Sequence, residues 1–241
     1  MMRIMPLPVR HGWDLTIDQA ERLQAELSGR VIESDDPAPV RHIAGAVVAS
    51  EQGTGHVRAA VVVLDAHSRE RIDQATARGE STFPYRSGLR SFRELPTLLA
   101  ALDQLTTRPD LIICAAHGRA HPRRLGLACH LGLWLDLPTI GCALTPMIGD
   151  FPVPGARRGG HRRIVEHGEV VGEVVRTRRD LKPIFVSIGH RISLPSARRW
   201  ILRLANRYRL PEPVRAARSA LRAQNPAPWH EEDGAGEFRA R

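Results

Sequence analysis

Apolar positions along this chain change period several times, and each change marks an element. Thr16 and Gln19 have capping-box spacing, and Ala20, Leu23 and Leu27 continue as an apolar stripe, which predicts a helix from Thr16. Ser34 to Val40 carries paired Asp and two Pro and reads as a loop. Ile43–Ala49 and Val57–Leu64 are β-branched apolar runs parted by Gly53 and Gly55, the pattern of a hairpin, with a third strand near Arg71–Ala77. A short helix is expected over Leu95–Leu105, and a buried strand over Asp110–Ala115 between Pro109 and Gly118. Arg124–Leu135 reads as a buried helix and Thr139–Cys142 as a short strand. The segments 162–167 and 169–176 fit a second hairpin, and Ile184–Ile188 a further buried strand. A helix over Pro195–Tyr208 places Ala197, Trp200, Ile201, Leu204, Ala205 and Tyr208 on one face as core packing, and another helix follows over Glu212–Arg222. Hairpins first, then strands alternating with helices, predict a mixed α/β sheet with helices packed on it. No internal repeat is visible.

Composition narrows the function classes. The 241 residues, 42% of them hydrophobic, suffice for one sizeable core, so one domain is expected: an extension over 1–13, a folded domain over 14–224, and a polar, disordered tail over 225–241. Lys and Arg number 35 against 26 Asp and Glu, a formal +9, which favours a polyanionic partner; Lys182 is the only lysine, so arginine bias contributes to the excess. Cys114, Cys129 and Cys142 form no C-x-x-C pair and read as reduced, buried thiols. No apolar run reaches membrane-span length and the N-terminus lacks a signal-peptide core, so a cytoplasmic monomer without membrane contact is expected.

Chemistry enters at Phe83-Pro84-Tyr85-Arg86-Ser87-Gly88-Leu89-Arg90-Ser91-Phe92-Arg93-Glu94. It continues through His117-Gly118-Arg119-Ala120-His121-Pro122-Arg123-Arg124-Leu125-Gly126, Asp136–Gly141, Gly189-His190-Arg191 and Tyr208–Glu212. This ordered set resembles the endonuclease V family. The resemblance implies a ribonuclease H-like α/β fold, a single domain with helices flanking the sheet. It also implies cleavage of DNA or RNA near a deaminated base such as hypoxanthine, with Mg2+ or Mn2+ as cofactor.

The same resemblance assigns Glu94 to metal binding and His190 to the neighbourhood of the active site. Two further family acids fall at Val47 and Ala115, and a family lysine at Leu144, so three polar positions are apolar here. Divalent ions of this type need near-octahedral oxygen ligands, commonly one or two carboxylates with substrate phosphate, and Glu94 alone is a weak ligand set. Asp65 and the i,i+4 pair His117 and His121 are candidate substitutes, but Gly118 lies between the histidines and the H-E-x-x-H glutamate is absent.

The binding frame looks fuller. Tyr85 matches the family's aromatic wedge, Gly88 allows close backbone approach, and His121, Arg123 and Arg124 match a phosphate-contacting segment at a helix entrance. Arg86 and Ser87 depart from the family's apolar-Pro pair. Arg90 stands in place of an apolar residue and Ala116 in place of a glycine, and Arg157, Arg158, His161, Arg162 and Arg163 form a basic loop. We therefore expect a catalytically impaired, endonuclease V-like protein that binds deaminated (inosine-type) or distorted DNA or RNA. Two alternatives stay open: an active deoxyinosine endonuclease with a rearranged metal site, and an interaction protein that keeps only the fold.

Overall fold

The computed structural model describes residues 10–50 and 54–224. Helix α1 (Ile17–Ser28) starts at the anticipated capping box: Thr16 Oγ1 accepts from the Gln19 amide and the Gln19 side chain accepts from the Thr16 amide. Strands β1 (His42–Ser50) and β2 (His56–Asp65) pair antiparallel as the expected hairpin, and β3 (Arg71–Glu80) adds to β2. After α2 (Arg90–Leu102), β4 (Leu111–Cys114) lies parallel to β1. Then α3 (Leu127–Leu135) crosses to β5 (Thr139–Ala143), parallel to β4. The hairpin β6 (His161–Glu166) and β7 (Glu169–Val175) is followed by β8 (Ile184–His190), α4 (Leu194–Leu204) and α5 (Glu212–Ala223).

The eight strands form one mixed sheet, ordered β3-β2-β1-β4-β5-β8-β7-β6. Its central strands are apolar on both faces because helices cover both. One core unites Ile43, Val47, Ile113 and Ile140 with Ala197, Ile201 and Leu204 of α4 and Val214, Ala217 and Leu221 of α5. The opposite core joins Ala44, Ala46, Ile112 and Cys114 to Leu95, Leu98 and Leu99 of α2 and Leu127, Ala128 and Leu131 of α3. Helix α5 lies so close to β1 that a Cβ at Gly45 would stand 2.0 Å from the Pro213 carbonyl oxygen. All three cysteines are buried free thiols, as expected from their spacing.

Several boundaries differ from the sequence expectation. Helix α2 begins five residues before Leu95 and runs through Pro96, because Ser91, Phe92, Arg93 and Glu94 are all buried by tertiary packing. Helix α3 begins at Leu127 rather than Arg124, which has a positive φ of 56° and belongs to the preceding turn. Helix α4 stops at Leu204, since Ala205 leaves helical backbone (φ −97°, ψ 56°). Tyr208 is therefore not on its apolar stripe: it is 40% exposed, with the Arg215 guanidinium 3.4 Å from its ring centroid. The tail from 225 lies outside the described residues.

Candidate nucleic-acid site

The start of α2, the segment that follows β4 and the turn before α3 form a solvent-open cleft, lined among others by Gln24, Gly88, Arg90, Ser91, Glu94, Ala116, His117 and His121. Of the residues singled out in the sequence, Gly88, Arg90, Glu94, Ala116, His117 and His121 meet here.

Glu94 is 2% exposed and held from two directions. Its Oε1 accepts from Ser50 Oγ at the end of β1 (2.9 Å) and from Arg90, one helical turn earlier on α2, through Nε at 3.0 Å and Nη2 at 2.9 Å. The sequence reading missed Ser50, whose role depends on a strand end meeting a helix distant in sequence.

Gly88 takes φ +80° in the turn before α2, a conformation that favours glycine. Its carbonyl accepts from the side-chain amide of Gln24 (2.9 Å), which also donates to Leu125 O (2.7 Å) and accepts from Arg123 Nε (2.5 Å). Gln24 is 1% exposed and ties α1, the Gly88 turn and the His121–Leu125 segment together, a second residue the sequence did not mark. His121 accepts the Arg123 amide at Nδ1 (3.2 Å) and bonds to the Gly88 backbone; burial, with the Arg123 charge, pushes its pKa down to about 3, so it is neutral. His117 donates from Nε2 to Thr145 O (2.9 Å), and burial, aided by the Arg90 charge and opposed by that bond, lowers its pKa. The two histidines are thus packed against backbone and do not form a zinc pair.

A hydrogen-bond chain runs from His11 through buried His130 to Ser91, which lines the cleft. His11 Nδ1 lies 2.7 Å from Gly12 O, which can only accept, so Nδ1 carries the proton and Nε2 the lone pair. His130 Nε2, 2.7 Å away, must then donate to His11, leaving His130 Nδ1 to accept from Ser91 Oγ at 3.0 Å. Burial drives the His130 pKa to about 3, with the His11 charge adding to the effect. Ser91, which lines the cleft, thus directs its hydroxyl proton inward to His130.

Other expected residues are placed elsewhere. His190 does not line the cleft. It pairs with Thr139, the first residue of β5, whereas Glu94 stands at the opposite, C-terminal ends of the parallel strands. There it meets Asp136 at 3.4 Å, and burial lowers its pKa against the pull of that carboxylate. Arg191 clamps the same Asp136 at 2.7 and 2.9 Å. Asp65 is likewise remote, paired with His42 at the start of β1, and its Oδ1 accepts the amides of His67 and Ser68 in a turn.

The helix-entrance phosphate site is also revised. The Gly126 and Ala128 amides donate to Gly118 O and His117 O, and Arg124 is engaged by Glu169 (2.6 Å), which Arg119 also grips (2.6 Å). Arg123 remains at the cleft edge between Gln24 and Glu21. Tyr85 is 57% exposed in the turn preceding Gly88. The basic loop spans the turn at 157–158 and the start of β6, the edge strand farthest from β3, and does not line the cleft.

The sequence pattern of the endonuclease V family matches residues 25–219. The chain belongs to the endonuclease V family. A curated endonuclease V of Nocardia farcinica is 50% identical over 213 residues, covering 86% of this chain and 94% of that protein. The crystal structure of the endonuclease V of Streptomyces avermitilis superposes with a TM-score of 0.84 at 44% identity, over 90% of this chain and 96% of that one. That of the Ciona intestinalis endonuclease V, in complex with a 23mer DNA containing an inosine followed by a ribo-adenosine, gives 0.75 at 26% identity over 87% and 98% of the two chains. The fold is the ribonuclease H-like one expected.

Against the endonuclease V expectation, the donor set here does not fit a divalent ion. Val47, Ala115 and Leu144 all join the apolar cluster under α4 and α5 and bring no oxygen. Among the described residues no group of three His, Cys, Asp or Glu side chains is placed to hold a metal. The Glu94 oxygen is engaged by a guanidinium. Unit charges 4 Å apart repel by about 4 kcal/mol at an effective dielectric near 20, so a divalent ion beside Arg90 meets roughly twice that.

Proposed function

We propose that this protein recognises nucleic acid carrying an inosine-type base and is impaired in cutting it. The observation that carries the reading is the state of Glu94: a carboxylate paired with Arg90 beside an otherwise apolar set of family ligand positions, at the cleft. Phosphodiester hydrolysis by a metal route requires an ion that generates the nucleophile and steadies the leaving oxygen. One carboxylate already paired with a guanidinium supplies little of that.

The binding frame supports recognition. Exposed Tyr85 is suited to stacking in the space vacated by an extruded nucleotide. Ser91 lines the cleft with its hydroxyl proton directed to His130, and an oxygen without a free proton suits a base edge that carries an N–H; hypoxanthine has one at N1, where adenine has a bare nitrogen. The chain's +9 charge adds a sequence-independent attraction to either DNA or RNA.

The test is a binding and cleavage panel of inosine- and adenosine-containing DNA and RNA of one sequence, with Mn2+ present. Tighter binding to the inosine strands without nicking is expected, and Ser91→Ala should narrow the preference over adenosine by about tenfold. Mn2+-dependent nicking that Glu94→Gln abolishes would establish the active enzyme instead. Equal, negligible binding to all four would favour an interaction protein that keeps only the fold.

A further inference from the structure

We infer that three interlocked basic turns, at 155–160, 176–182 and 202–209, form a second contact surface outside the cleft, which holds the phosphate backbone of the duplex flanking the recognised base. That the partner is nucleic acid rests on the function proposed above.

The sequence concentrates the charge. Residues 151–165 hold four arginines, residues 181–211 hold six arginines and Lys182, and neither stretch contains an acid. The fold then brings these stretches together. The Gly159 amide donates to Arg176 O (2.8 Å), Arg158 Nη2 to Leu202 O, Arg178 Nη1 to Arg207 O and Thr177 Oγ1 to Arg209 O (2.6 Å).

The bonds that fix this surface leave its charge standing. Elsewhere arginines meet carboxylates, as Arg119 and Arg124 meet Glu169 and Arg191 meets Asp136. Here Arg158 and Arg178 meet neutral carbonyls, and one such bond leaves most of a guanidinium's N–H donors unused. Among the described residues, exposed Arg157, Arg163 and Lys182 make no side-chain hydrogen bond or ion pair. Of the nearby acids, Asp180 pairs with Arg179, and buried Glu173 with Arg198.

Position selects the partner. His161 pairs with Val175, Val175 with Ile184 and Phe185 with Ala143, so these turns stand at the C-terminal ends of the parallel strands, where Glu94 meets Ser50. Arg209 donates to Leu144 O, and the next carbonyl, Thr145 O, accepts from His117 of the cleft, so a short segment joins the two places. In the sheet order β6 lies four strands from β4, about 19 Å at roughly 4.8 Å per strand. At about 3.4 Å per base pair, that offset spans roughly five or six base pairs of a duplex leaving the cleft. Continuity with the cleft favours nucleic acid over an anionic lipid surface.

The experiment measures binding of inosine-containing DNA duplexes to the full chain by fluorescence anisotropy across a salt series, in EDTA and in Mg2+. The duplexes extend either two or ten base pairs beyond the inosine on each side in turn. The variant Arg157→Gln/Arg163→Gln/Lys182→Gln should weaken binding of the long duplexes about tenfold to a hundredfold at low salt. It should also lower the slope of log K against log salt by about two to three. Truncating one flank should weaken wild type by a similar factor and leave the variant unchanged. Preference for inosine over adenosine should stay as in wild type, because backbone contacts carry no base information. Arg157→Lys/Arg163→Lys, which keeps the charge, should retain the wild-type slope. Arg41→Gln/Arg69→Gln/Arg108→Gln removes as much charge from exposed positions at the opposite end of the sheet and should have little effect.

Equal losses in the two glutamine variants, or flank length without effect on wild type, would overturn this inference while leaving the nucleic-acid reading standing. Failure of wild type to bind any duplex at low salt would overturn both. Vesicles of equal phosphatidylserine and phosphatidylcholine that bind wild type but not the patch variant, with duplex binding unaffected by the patch, would overturn the inference by assigning the surface to lipid.

Discussion

Restoring acids at the two apolar family positions, Val47→Asp with Ala115→Asp, tests the metal argument in thermodynamic terms. Val47 is 3% exposed and packed in the core beneath α4 and α5. Its replacement forfeits roughly 2 kcal/mol of apolar burial, and enclosing a carboxyl without a partner costs a few kcal/mol more. The β1–β4 register, with Ala46 beside Cys114 and the Ala115 amide bonded to Ala46 O at 2.9 Å, sets position 47 next to position 115. The two carboxylates would then oppose each other's ionisation. Together these terms make the double variant about 4–5 kcal/mol less stable than wild type in EDTA, a large share of the roughly 5–15 kcal/mol of an ordinary domain. If the new acids complete an ion site, Mn2+ at a hundred times its Kd returns about 2.7 kcal/mol, and adding Arg90→Leu increases that gain by removing a repelling charge. Urea denaturation of both proteins, with EDTA or Mn2+, reads every quantity. Wild type should be indifferent to Mn2+. A wild-type gain that Glu94→Gln abolishes would refute the reasoning, because Glu94 would then already hold an ion.

Three further outcomes follow from the geometry. His121 and His130 fall from 6.5 to about 3 on folding, so the unfolded chain takes up their protons first. Stability should then drop by about 1.4 kcal/mol per pH unit for each as pH falls from 6.5 toward 3, with His11, His117 and His190 adding in the same direction; urea midpoints that stay flat between pH 6 and 4.5 would contradict this. Gly45→Ala should cost about 3 kcal/mol or more by driving α5 off β1, which thermal denaturation would show. Gln24→Leu removes the amide that joins the Gly88 and Leu125 carbonyls to Arg123 Nε, with an expected loss of about 2–3 kcal/mol and weaker oligonucleotide binding; unchanged binding would mean that the Gly88 turn holds its shape unaided.

The sequence by itself determined the elements and their kind. β-Branched apolar runs at 43–49 and 57–64, the Thr16–Gln19 box and the stripe at Ala197, Ile201 and Leu204 are local signals, written in residues a few positions apart, and each became the element it predicts. The ordered motifs from Phe83 to Glu212 likewise sufficed for the family and its fold. Tertiary structure decided what those residues touch. Helix α2 starts early and carries Pro96 because burial of Phe92 and Glu94 outweighs local propensity. His190, beside a family motif in sequence, lies at the far end of β5 because β8 runs antiparallel to it. Arg124 turned from a phosphate hand into a tie to Glu169, a partner 45 residues away on another hairpin. Gln24, Ser50 and the His11–His130–Ser91 chain left no mark in the sequence, since each acts through a neighbour 39 or more residues distant. A motif names residues; only packing fixes which face of a strand or end of a sheet they reach, and with it the charge that stands beside Glu94.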